Sequence, residues 1–206
     1  GGRMWNDSVI EVVRNYQGEV LDLRELDLDC YTVRSDEQRR AAVDIILRQI
    51  KHLDPQIRIE LVNDIQTRGA ALPDDLMLTD AQLRSLVHNG VAIGAHTVNH
   101  PILSSISTDA ARSEIENSKR YLETLLQQPV DAFAYPNGRP QLDYGVEHRD
   151  MVRELGFKVA VSTHWGVGTV LSDRYQLPRF TPWDRHPLKF AGRMLANYRR
   201  LDPLLD

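Results

Sequence analysis

His96 and His100 have the clearest capacity for chemistry in this chain. They stand four apart in His96-Thr97-Val98-Asn99-His100, directly after the short uncharged run 91–95. If the linking turn is helical, residues at i and i+4 share a face, and the two imidazoles converge on a zinc-type ion. Such an ion needs a third protein ligand, usually an oxygen, and an open position at which a water is acidified toward neutral pH. Two polar histidines of a loop or helix would show the same spacing; their place at the end of an apolar run favours the ligand reading. A second group, Phe133-Ala134-Tyr135-Pro136-Asn137-Gly138, also follows an apolar run. Its proline and glycine fix a turn whose backbone amides could face a ligand, or which simply reverses the chain.

The elements that must position these residues alternate between helix and strand. Thr79 with Gln82 is a capping box opening a helix through Leu83, Leu86 and Val87, which Asn89-Gly90 closes before a buried strand at 91–95. A helix over 109–127 leads to a strand at 132–135, and a helix over 147–155 leads past Gly156 to a strand at 157–162. A last strand is expected at 176–180 and a closing helix at 188–198. Strands preceded by helices predict a parallel α/β architecture, barrel or open sheet, with its functional loops at the carboxyl ends of the strands. Ahead of this, a helix follows Asn6-Asp7-Ser8 and a short strand covers 19–23. Ser35 and the Asp54-Pro55 break then define a helical hairpin over 35–69, expected as an insertion without chemistry of its own.

Composition narrows the function. A chain of 206 residues with 42% hydrophobic content can bury a sizeable core and is expected to form a single domain over 1–206. The net charge of −4 gives no electrostatic footprint for nucleic acid. One cysteine, Cys30, excludes an intrachain disulfide and a cysteine-built zinc site. No apolar run approaches the roughly 20 residues that span a bilayer. Because the chain opens on Gly1-Gly2-Arg3-Met4, it is expected to be truncated at its N-terminus, and any targeting signal would lie upstream; cytoplasm and cell envelope both stay open.

Taken together, the two groups resemble the polysaccharide deacetylase family, carbohydrate esterase family four. The family's metal motif H-[ST]-x-x-H is matched by His96, Thr97 and His100, and its R-x-P-x-G motif by Pro136 and Gly138, with Ala134 where the arginine would stand. The Tyr135-Pro136 form resembles a branch acting on poly-N-acetylglucosamine-like exopolysaccharides. Over 78–180 the resemblance implies an incomplete or distorted (β/α) barrel that hydrolyses N-acetyl groups of an N-acetylhexosamine polymer with a divalent metal, zinc by preference. It implies His96 and His100 as ligands and the Asn137 amide as oxyanion donor. Tyr135, Pro136, Trp165 and Arg179 are expected on the substrate side.

Two family motifs are missing. The first, T-F-D-D, supplies a base and a metal-ligand aspartate. Asp27 and Asp29, and likewise Asp74 and Asp75, lack its apolar lead-in and are expected in solvated turns, so the third ligand is expected to be an Asp upstream of Gly1. The L-x-H acid motif is replaced by Leu177-Pro178-Arg179, which leaves His164 as the candidate acid ahead of His186 and Arg179. Asp184 would orient a base or cap the final helix. Without the missing carboxylates the chain is expected to bind metal weakly and turn over little. A non-catalytic carbohydrate-binding or assembly module with a degenerate site, or a zinc hydrolase of another substrate, would use the same cleft.

Overall fold

The computed structural model describes residues 2–69, 71–180 and 183–199. Where composition suggested one domain, the chain divides into two compact units, Gly1–Leu83 and Arg84–Asp206. The physical reason is that the buried apolar side chains form two separate clusters, one in each unit.

In the first unit α1 (Trp5–Asn15) packs on α2 (Asp36–Ile50) and α3 (Pro55–Gln66). The side chain of Asp7 accepts the Met4 amide, so α1 starts earlier than its polar triplet suggested. Ser35 caps α2 in a capping box, and Asp54 caps α3 ahead of Pro55 at its first position. A hairpin of β1 (Val20–Asp22) and β2 (Cys30–Thr32) completes the unit, with Leu21 opposite Tyr31 on the buried face. The segment 35–69 is therefore an integral layer of this unit's core, in which Ile46, Ile50 and Ile65 are fully buried with Val9 and Val12. Asp27 lies exposed in the left-handed turn between β1 and β2, as a solvated turn requires.

The second unit is a mixed α/β arrangement. Helix α4 (Asp80–His88), opened by the Thr79–Gln82 box, precedes it; α5 (Thr108–Leu126) leads to β3 (Ala132–Ala134), α6 (Val146–Glu154) to β4 (Val159–Val161), and α7 (Pro187–Tyr198) ends the described chain. β3 and β4 pair in parallel with Phe133 opposite Ala160. Single bridged residues extend the ladder on either side, Ala95 against Phe133 and Leu177 against Val161, both parallel. The spatial order is thus Ala95, β3, β4, Leu177, the order of the sequence.

Two expected strands are shorter than their apolar runs. At 91–95 only Ala95 is bridged and buried, while Val91 is 44% exposed. The Ala95 amide donates to the Ala132 carbonyl at 2.8 Å, and a Cβ on Gly94 would come within 3.1 Å of that oxygen, so glycine permits the approach. At 176–180 the ladder holds Leu177 alone. The sequence pattern thus announced each strand but not how many of its residues find a neighbour.

Phe133 is the centre of this core, edge-on to Tyr135 at 5.2 Å and tilted on Phe157 at 5.3 Å. His148 fastens α6 to it. Its Nδ1 accepts the Gly145 amide at 3.0 Å, and its ring also bonds the Leu103 carbonyl. Burial pushes its pKa below the usual 6.5, which neighbouring Glu147 offsets only in part. The unfolded chain therefore takes up a proton here before the folded one does, and stability contributed above pH 6.5 is lost as pH falls through and below that value. Thermal midpoints followed from pH 7.5 to 5.5 should fall more steeply for the natural chain than for His148→Gln. The difference should not exceed about 1.4 kcal/mol per pH unit.

Candidate active site

Parallel pairing in sequence order brings the residues after Ala95, β3, β4 and Leu177 to one end of the ladder, with adjacent segments roughly 4.8 Å apart. Each of those loops is hydrogen-bonded to its neighbour. His96 Nδ1 lies 2.7 Å from the Ala134 carbonyl, which can only accept, so the ring carries its proton on Nδ1 and offers the Nε2 lone pair. The Thr163 amide donates to Gly138 O at 2.8 Å, and the Thr163 hydroxyl to Asn137 O at 2.6 Å. The Arg179 amide donates to His164 O at 3.1 Å.

The rings of His96 and His100 meet edge to face, with centroids 4.8 Å apart. Two imidazoles bound to one tetrahedral zinc at ~2.0–2.1 Å would place their centroids roughly 5 Å apart, a separation close to this one. The linking turn is not helical, as the spacing argument supposed. Thr97 and His100 instead adopt left-handed backbone, φ 62° and 53°. Thr97 Oγ1 donates to His96 O at 2.6 Å and accepts the His100 amide at 3.1 Å. Glu114 of α5 accepts the Val98 and Asn99 amides at 2.9 and 2.8 Å and the Asn99 side chain at 2.7 Å. Sequence reasoning missed Glu114, since a helical glutamate bonded to a distant loop leaves no spacing to read.

Among the described residues no group of three His, Cys, Asp or Glu side chains could hold a metal. Asp74 and Asp75 are exposed in the first unit, where Asp75 bridges Gly2, and Asp29 caps the Cys30 amide at 2.7 Å.

The Pro136–Gly138 turn is tight. Gly138 donates to Pro136 O at 2.6 Å with φ 73°, and a Cβ there would meet Thr163 Cγ2 and Tyr135 O at 3.0 Å, so glycine is required. Asn137 is exposed in left-handed backbone, φ 56°, and among the described residues its amide is given to no backbone carbonyl. Behind the turn, buried Asp143 takes a forked ion pair from Arg139 at 3.0 and 3.2 Å.

Tyr135, expected on the substrate side, is instead fully buried. Its ring stacks on Tyr144 at 3.7 Å, its hydroxyl donates to Tyr175 O at 2.9 Å, and burial drives its pKa upward. Alternation explains the difference: Tyr135, directly after β3, continues the core face on which Phe133 lies, so the motif's aromatic residue belongs to packing. Pro136 is also buried and contributes the turn's shape.

His164 is half-buried, with Nδ1 2.5 Å from Ser162 Oγ. Ser162 donates its hydroxyl proton to Leu177 O at 3.1 Å, so its oxygen accepts the His164 Nδ1 proton. Trp165 is half-buried, with its ring 5.6 Å from that of Phe180 and 5.7 Å from that of Trp183. Arg179 is exposed. Asp184 pairs with Arg193 of α7, whose hydrogen bond holds the carboxyl below its ordinary pKa, while His186 occupies the cap position. Asp184 thus clamps the final helix from the side rather than capping it.

Residues 62–160 match the family model described as polysaccharide deacetylase. The "Putative polysaccharide deacetylase YxkH" of Bacillus subtilis is 26% identical over 102 residues, covering 50% of this chain and 35% of that protein. Among solved structures, the Streptococcus pyogenes deacetylase PplD in complex with acetate is 33% identical with a TM-score of 0.46, over 50% of this chain and 43% of its own. The BpsB deacetylase domain of Bordetella bronchiseptica is 17% identical, also with a TM-score of 0.46, over 52% and 50%. The chain spans less than half the length of YxkH and of PplD.

With Tyr135 in the core, Tyr135→Phe should cost about 1 kcal/mol of stability through the orphaned Tyr175 carbonyl. Thermal unfolding of the variant followed by calorimetry checks this, and unchanged stability would return Tyr135 to the surface. The matched segment carries His96, His100 and the Pro136–Gly138 turn, and over 62–160 the chain is similar to the polysaccharide deacetylase family.

Proposed function

We propose that this chain is part of a metal-dependent deacetylase acting on an N-acetylhexosamine-containing polysaccharide. The observation that carries the reading is the meeting of the His96 and His100 rings at the carboxyl end of a parallel ladder whose next loop presents the Asn137 amide. A zinc-type ion held by these two rings would polarise the acetyl carbonyl and acidify a water. On this reading the remaining ligand and the general base are aspartates from upstream of Gly1, and the four parallel segments are part of a (β/α) barrel.

The chain's own residues have separable tasks. Asn137 donates its amide to the acetyl oxygen as that oxygen gains charge, a stabilisation that grows toward the transition state. Pro136 and Gly138 hold that amide outward. His164, kept in place by Ser162, delivers a proton to the leaving amine. Trp165 gives an apolar face to the acetyl methyl or a sugar ring, and Arg179 supplies donors to sugar hydroxyls. The similarity to the polysaccharide deacetylase family and to YxkH supports a polysaccharide substrate; the amino-sugar preference rests on the Tyr135-Pro136 form of the turn.

Acetate release from chitin-type and poly-N-acetylglucosamine oligomers, with added zinc or cobalt, tests this. The 206-residue chain should release little, and a version extended upstream should be faster by at least about 10²-fold, the lower end of general-base help. His96→Ala in the extended version should remove the metal-dependent part. Equal turnover by both versions would sink the upstream-carboxylate assignment. Oligomer binding without acetate release by the extended version would replace the hydrolase with a non-catalytic binding module.

A further inference from the structure

The loop joining His96 to His100 pays for its shape twice over, because both Thr97 and His100 carry a Cβ into left-handed backbone. Such conformations persist only where surrounding contacts over-determine them. Burial does not hold this loop: Val98 is 54% exposed and Asn99 is exposed. The Thr97 hydroxyl bonds lie within the loop and move with it. Glu114 is different, since it projects from α5, whose neighbouring Ala111 and Ile115 are fully buried. One of its oxygens receives two consecutive backbone amides, Val98 and Asn99, from the peptide units between the two left-handed residues. Its other oxygen receives Asn99 Nδ2.

Resting on the metal reading above, we propose that Glu114 is the positioning residue of this loop. It holds the loop in the conformation in which the two imidazoles meet, and so sets the divalent-metal affinity of the pair without touching the ion. A glutamine replaces it only in part, because its oxygen can accept the two backbone amides once Asn99 turns its side-chain amide to accept, but the charge that strengthens those bonds is lost. An aspartate is one methylene short.

The test uses the full 206-residue chain with Glu114→Ala, Glu114→Gln and Glu116→Gln, the last removing an exposed carboxylate from the same helix. Two quantities are read: exchange of the Val98 and Asn99 amides without metal, and zinc titration of the His96 and His100 ring resonances. Glu114→Ala should speed both amides at least about 10-fold and weaken zinc binding by about 10- to 100-fold, as loss of a ligand's supporting contacts does. Glu114→Gln should fall between, and Glu116→Gln should match the natural chain. Unchanged exchange, or faster exchange with unchanged affinity, would overturn the proposal. If Glu114→Ala does not fold, the Glu114→Gln readings decide it by the same criteria. If the natural chain shows no zinc response, the titration is made in the version extended upstream; no response there would remove the metal reading itself, and the exchange rates would then decide whether Glu114 positions the loop.

Discussion

The hydrogen bond between His96 and the Ala134 carbonyl joins a side chain of one loop to the backbone of the next segment. It fixes the ring's orientation and tautomer together, because a carbonyl accepts only a proton held on Nδ1. The same sideways attachment recurs along the ladder, from Tyr135 to Val161, from Thr163 to the Asn137 turn and from Arg179 to His164. No functional loop is positioned by its own strand alone. The site's geometry therefore depends on pairing register, and a slip of one residue would turn Phe133 and Tyr135 out of the core while moving Asn137 away from its neighbours.

Much of this was legible in the sequence where local chemistry decides local structure. Ser35 and the Thr79–Gln82 box each cap the helix they announced, and Asp54, read as part of a break, caps the next one. The strands expected at 132–135 and 157–162 contain β3 and β4. The β1–β2 pairing was only half legible, because Cys30-Tyr31-Thr32 sits beside Asp27 and Asp29 and its burial comes from Leu21 across the hairpin. Division into two units was hidden for a related reason: composition reports how much apolar surface exists, not into how many clusters it gathers.

Within the site, residue type and spacing found the histidine pair but not the way it is brought together. An i, i+4 spacing suggests a helix, whereas two left-handed residues and a remote carboxylate achieve the approach here. Tyr135 illustrates the opposite case, where a motif position reads as functional and the strand's alternation assigns it to packing. Its partner Tyr144 follows buried Asp143, so the stack and the Arg139 ion pair together brace the turn from behind.

The ladder's spatial order is also its chain order, from Ala95 through β3 and β4 to Leu177. Every new segment therefore docks on the one made just before it, separated by a single helix or loop rather than by the length of the unit. Loop-closure entropy grows with separation, so pairing neighbours in sequence order keeps that cost below that of pairing distant segments. As the chain leaves the ribosome, this unit can accrete one segment at a time, and each addition completes one more of the loops that meet at its carboxyl end.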